Sequence, residues 1–174
     1  MTLSESPATP ITVTSTDLPI VHVRIVSSRP YELVKEALET QLGRLSDAIR
    51  ELLRKNEIEA VREALTAAAG ENGLAIHYIG PHGDWLALQG ARRKATSYLI
   101  GNVLYAVQMT SIDLASGLYA PLRVILYEDA AGCSVFEYDR PSTQFGQFRQ
   151  PGIDDVAAIL DQRLHALLIK VCTP

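Results

Sequence analysis

Between Leu18 and Leu52 the spacing of apolar residues changes from two to about 3.6, and that change constrains the fold more than any other feature of the chain. In Leu18–Val26, Val21, Val23 and Ile25 alternate with His22 and Arg24, the pattern of a strand with one buried face. Ser27-Ser28-Arg29-Pro30 follows. Proline is tolerated in a first helical turn and serine caps free amides, so a helix is expected to start there. From Tyr31 onward, Val34, Leu38, Leu42, Leu45, Ile49 and Leu52 line one helical stripe, while Glu32, Lys35, Glu36, Glu39, Arg44 and Arg50 occupy much of the rest. Asn56 and Glu59 have capping-box spacing ahead of Ile58, Val61 and Leu65, which places a second helix before Gly70–Gly73.

The alternation of element types continues downstream. Leu74–Ile79 and Lys94–Ile100 read as strands separated by the breaker Gly80-Pro81-His82-Gly83-Asp84. Asn102 is placed to cap a short helix containing Leu104, Ala106, Val107 and Met109. Pro121–Tyr127 and Cys133–Tyr138 flank a loop whose Gly132 suits a positive φ, as in a β-hairpin. Ile153, Val156, Leu160, Leu164, Leu167 and Val171 form a closing helical stripe. Strands dispersed among helices, with one clear hairpin, imply an α+β class: an antiparallel sheet covered by helices. A parallel nucleotide-binding fold would need a glycine-rich turn after the first strand, where this chain has Ser27-Ser28-Arg29-Pro30. No linker divides the pattern, so residues 17–174 read as a single domain behind a flexible leader, 1–16.

Composition narrows the function classes. The chain has 174 residues, 47% hydrophobic and 21% charged, enough for a self-sufficient core. A formal net charge of -4 gives no general attraction to nucleic acid or an anionic membrane, so neither is an expected partner. Arg92-Arg93-Lys94 is the one basic run, and it reads as a solvated turn. Cys133 and Cys172 are far apart, which suggests reduced thiols rather than a disulfide framework. No secretory signal pattern opens the chain, and no apolar run approaches the roughly 20 residues of a membrane span, so a cytoplasmic protein is expected.

Four segments between His82 and Phe148 carry a family likeness: HGDWLALQG, SYLIGNVLYAVQM, ASGLYAPLRVILYED and VFEYDRPSTQFGQF. They are similar to the turn, GNP-type motif, Leu-x-x-Pro strand and Tyr-Asp-x-Pro loop of the domain-of-unknown-function 302 family. With the opening strand-helix unit and the final helix, the likeness covers about Val21 to Val171. It implies a curved antiparallel sheet with helices packed against it, similar to the TATA-box-binding-protein-like fold group, and no particular reaction. Gly101-Asn102-Val103 replaces the family's GNP, so the turn proline is missing here. The region from Tyr31 to Ala69 also holds more helix than the compact family version, which implies an added or split helix.

Among residues with chemistry, His82 aligns with a histidine common in that family and is the foremost acid/base candidate, since imidazole titrates near neutrality. A turn residue bonded to backbone is the competing reading. His77 and His165 read as structural or solvent-facing. No histidine pair or carboxylate cluster has metal-ligand spacing, so neither a metal nor a cofactor is expected. The G-x-S-x-G elbow is absent, and a reactive Cys133 would need a neighbouring cation or helix N-terminus, which a sequence does not show. The stronger set is polar and aromatic: Trp85, Tyr98, Asn102, Tyr119, Arg123, Tyr127, Tyr138, Asp139 and Arg140. It could form a ligand pocket with aromatic walls and an arginine anchoring an anion, or a helix-covered sheet face with structural ion pairs. The first expectation is therefore a non-enzymatic small-molecule-binding or sensing homodimer with its pocket between sheet and helices. An enzyme using His82 with Arg123 or Arg140, and a structural assembly module, are the alternatives.

Overall fold

A computed structural model describes residues 11–173. Of the expected leader, residues 1–10 lie outside the described residues, and residues 11–16 carry no regular structure and are exposed.

The first strand, β1 (His22–Ser27), leads into α1 (Tyr31–Gln41), whose Val34 and Leu38 are fully buried. The expected single helix from Tyr31 to Leu52 is broken. Leu42 is extended, Gly43–Arg44 form the short strand β2, and α2 (Asp47–Arg54) begins at a new cap where Ser46 accepts from the Ile49 amide. The apolar period runs through this break because Leu42 and Leu45 remain buried or packed on cores, so pattern alone could not reveal it. Gly43 makes the crossing possible: a Cβ there would collide with the Ala68 carbonyl of α3 (Ile58–Ala69). Asn56 also departs from expectation. It adopts φ 59° after α2, and α3 starts from Glu57 without a side-chain cap. Asparagine tolerates the left-handed region, so it ends one helix rather than opening the next.

Next come β3 (Ala75–Gly80), β4 (Ala95–Gly101), α4 (Val103–Thr110), β5 (Leu122–Glu128) and β6 (Ser134–Asp139). Asn102 caps α4 as expected, its Oδ1 accepting from the Leu104 and Tyr105 amides. Gly132, at φ 79°, closes the β5–β6 hairpin. The short α5 (Pro141–Phe145) and the 22-residue α6 (Pro151–Cys172) complete the chain.

The six strands form one open sheet in the order β1-β6-β5-β4-β3-β2. All neighbours are antiparallel except β2 and β3, which are parallel. This is the α+β arrangement the sequence implies, with one short parallel edge added. Helices cover one face. Ile153, Leu160, Leu164, Leu168 and Val171 of α6 join Val34 and Leu38 of α1 against Tyr98, Ile100, Leu126 and Phe136 of the sheet. A smaller cluster of Ile49, Val61 and Leu65 ties α2 to α3. The C-terminal end of α6 is anchored by Arg29 Nη1, which donates to the carbonyls of Val171 (2.7 Å) and Thr173 (2.9 Å). A guanidinium there satisfies free carbonyls and complements the helix dipole. No helix among the described residues is long and apolar enough to cross a membrane.

Candidate functional site

The sequence places a pocket between sheet and helices; the middle of that interface is filled by core side chains, and smaller clefts remain at its edges against α4 and α6. In that middle, Tyr98 and Phe136 are essentially excluded from solvent. A concavity of about 370 Å³ lies on the opposite, uncovered face.

Strand alternation and register assemble it. Side chains of successive residues point to opposite faces, so burying Tyr98, Val124 and Tyr138 sends their neighbours to the open side. Direct cross-strand pairs then run across the sheet: His22 with Asp139, Glu137 with Ile125, Ile125 with Ser97, Arg123 with Leu99, and Leu99 with Tyr78. Leu99, Ile125 and Tyr78 supply the apolar floor; His22, Arg123, Glu137 and Asp139 supply charge.

His22 is clamped at one side of the trough. Its Nδ1 lies 2.9 Å from Asp139 Oδ1 and its Nε2 3.0 Å from Glu137 Oε2. A neutral imidazole has a single N–H, so only the imidazolium can donate to both carboxylates. The Asp139 and then the Glu137 hydrogen bond accordingly raise the His22 pKa above its ordinary value. Glu137 is held in turn: the Tyr127 hydroxyl donates to its Oε1 at 2.6 Å, and Arg24 Nε stands 3.4 Å away. Tyr127 first, then His22, keep its carboxyl below the usual range against the opposing effect of partial burial. Arg123 differs. It is exposed, and among the described residues its side chain has no hydrogen bond or ion pair.

Among the described residues no group of three or more His, Cys, Asp or Glu is arranged to hold a metal ion. The His22 triad does not serve as one, because both ring nitrogens already face carboxylates.

The residues singled out by sequence are dispersed. Arg123 and Asp139 reach the trough. Tyr98 and Tyr138 contribute to its floor only through the strands, because their hydroxyls lie on the covered face. Tyr98 donates to Glu39 Oε1 (3.0 Å), and Tyr138 meets His165 Nδ1 (3.1 Å). Burial, reinforced by the Glu39 charge, drives the Tyr98 pKa far upward, so it is a neutral donor. Arg140 lies beside Asp161 and His165 in a separate shallow depression. Tyr119 packs edge-on against Phe145 and Phe148, which makes it a structural aromatic. Asn102 caps α4 and donates to the Gly73 carbonyl. Trp85 is 66% exposed on a 3₁₀ turn. His82 is an exposed turn residue, and neither the Arg123 trough nor the Arg140 depression includes it. The His82–arginine constellation is therefore not assembled. Cys133 and Cys172 are both free thiols.

Sequence reasoning missed His22 and Glu137. The signal was present in the alternation of HVRIV and VFEYD, but it becomes a triad only when β1 pairs with β6 across more than 100 residues. A second cleft, about 240 Å³, brings Gly101, Asn102 and Pro121 of the family-like segments together with His77.

Comparison with known proteins agrees with this fold. A crystal structure of an uncharacterised conserved DUF302 protein from Bacillus stearothermophilus superposes with a TM-score of 0.59 at 17% identity, covering 87% of this chain and 98% of that one. Identity that low speaks for the fold alone. No curated protein matches the sequence. The family model for the domain of unknown function DUF302 matches residues 49–171, leaving β1 and α1 outside the matched range. With most of its length matched by that model, the chain belongs to the DUF302 family.

Proposed function

We propose that this chain is a small-molecule-binding domain whose ligand lies in the open-face trough, with an apolar or aromatic body over Leu99, Ile125 and Tyr78 and an anionic group on Arg123. The observation that carries this reading is the exposed Arg123 guanidinium, unpaired among the described residues, at the rim of an apolar-floored concavity. A guanidinium offers a planar fork of donors matched to a carboxylate, and a site of this size with an apolar floor and charged groups at its sides is typical of small-molecule recognition. Binding is favoured over catalysis because both nitrogens of the trough's histidine are engaged, leaving neither free to exchange a proton with a substrate. His22, Glu137 and Asp139 then form a rigid polar wall opposite the anchor.

The test is a thermal-shift and calorimetric comparison of benzoate-type carboxylates with the matching amides and amines. A carboxylate present at 100 times its Kd is expected to stabilise the protein by about 2.7 kcal/mol. Arg123→Ala should weaken that binding about tenfold or more, the loss of a charge-assisted hydrogen bond. Carboxylates that fail to stabilise the wild type, or that stabilise Arg123→Ala equally, would overturn the reading.

A further inference from the structure

His77 occupies an extra position in β3. The β3–β4 register steps from Ile76 opposite Ile100 to Tyr78 opposite Leu99, so His77 is the residue of a β-bulge. Bulges redirect a side chain and are retained where that direction matters. The imidazole is turned into the 240 Å³ cleft between the end of β4, α4 and α6, where Val103, Val107, Pro121 and Leu160 supply the walls.

The cleft is kept open by an absent side chain. A Cβ on Gly101 would stand 3.2 Å from Pro121 Cβ and 3.5 Å from His77 Nε2, crowding the place where ring and proline approach. The cleft's own lining is uncharged, although the Arg50 charge is felt at His77. That lining contains no Asp, Glu, Lys or Arg, and two amides at the start of α4 are already bonded to Asn102 Oδ1, so that helix end offers little to an anion. Burial, with a smaller push from the Arg50 charge and against a hydrogen bond to the Gly101 backbone, lowers the His77 pKa, so the neutral ring is favoured and the nitrogen not bonded to Gly101 is able to accept a hydrogen bond. The sequence reads His77 as structural or solvent-facing; the bulge that turns its ring toward the cleft cannot be read from a single strand's pattern.

We infer that this cleft is a second ligand site, distinct from the trough, that takes a small uncharged aromatic carrying a hydroxyl, a molecule of the phenol class that donates to His77 while its ring fills the apolar space. The volume, just under the usual range for drug-sized ligands, suits a single ring. A bare hydrocarbon ring would leave the imidazole nitrogen unpaired, and an anion would lose its hydration with no cation in the lining to pair with.

Residue-resolved NMR titration of the full chain with phenol, toluene and benzoate tests the inference. Phenol is expected to shift the His77 ring and the amides of Gly101 and Val107. Toluene should bind there about five- to tenfold more weakly, the worth of one neutral hydrogen bond. Benzoate should leave these signals unmoved, whatever it does at Arg123, so the two sites are read separately. Val107→Trp should fill the cleft from its exposed rim and remove the phenol response, and Ala106→Leu provides the same test from the neighbouring position should the first variant misfold. His77→Phe should keep toluene binding and abolish the preference for phenol. The inference is overturned if phenol leaves His77 unmoved, if both filling variants bind it as the wild type does, or if toluene and phenol bind equally.

Discussion

The two faces of the sheet are made by the same strands, yet they settle their polar groups in different ways. On the face under α1 and α6, each buried tyrosine hydroxyl has a partner: Tyr31 with Thr96 Oγ1 at 2.7 Å, Tyr98 with Glu39, Tyr138 with His165. An unpaired polar group there would keep its full desolvation cost, so the helices bring partners for what they cover. On the open face the partners are charged and linked into a chain, from Arg24 and Tyr127 through Glu137 to His22 and Asp139. Arg123 stands outside that chain. Solvent makes an unpaired cation tolerable on this face, and the proposed anion site is placed there for that reason.

The contrast breaks first, and most visibly, in stability. Leu164→Ala, at a fully buried position of α6, is expected to cost about 3–4 kcal/mol in chemical denaturation. Leu99→Ala, on the half-buried floor of the trough, should cost about 1 kcal/mol or less. Equal losses would mean that the open face is covered in solution, by a second copy or a bound molecule. Between them falls Asn102→Ala. It removes the α4 cap together with the bond to the Gly73 carbonyl and should cost about 1–2 kcal/mol.

Arg123→Ala sharpens the comparison, because it should alter stability by less than about 0.5 kcal/mol while weakening carboxylate binding. A large loss of stability would assign Arg123 to the fold instead. The smallest expected effect concerns His22. Both carboxylates favour its charged ring, so its midpoint in an NMR pH titration should lie above 6.5, and Asp139→Asn should bring it down. The linked stability has a definite sign. It is fully present below the unfolded value near 6.5 and is lost as pH rises through the higher folded value. Exposure of the ring keeps the contribution small. A wild-type midpoint at or below 6.5 would show that the clamp is not formed in solution.

How much of this was legible depended on the range of the interaction. The cap at Asn102, the hairpin at Gly132 and the buried stripe of α6 are local: each follows from the conformational preferences of a few adjacent residues or from helical period. The break at Gly43 was hidden because the contacts that accompany it, the Ala68 carbonyl 25 positions away and the pairing of β2 with β3, are distant in sequence, and the stripe continues across it. Asn56 was misread for a related reason. The same residue type serves helix ends and helix starts, and only the backbone angle separates them.

The candidate site shows the same division. From the sequence alone came the α+β class, the family resemblance, and the presence of Arg123 and Asp139 on strands with one apolar face. Alternation says which residues share a face; it does not say which face the helices will cover. Only the tertiary structure decided that α1 and α6 bury Tyr98 and Tyr138, that His22 meets Asp139 and Glu137, and that a bulge turns His77 into a cleft. Strand pairing over long sequence separations sets those contacts, and its register is fixed by the whole packed core rather than by any segment within it.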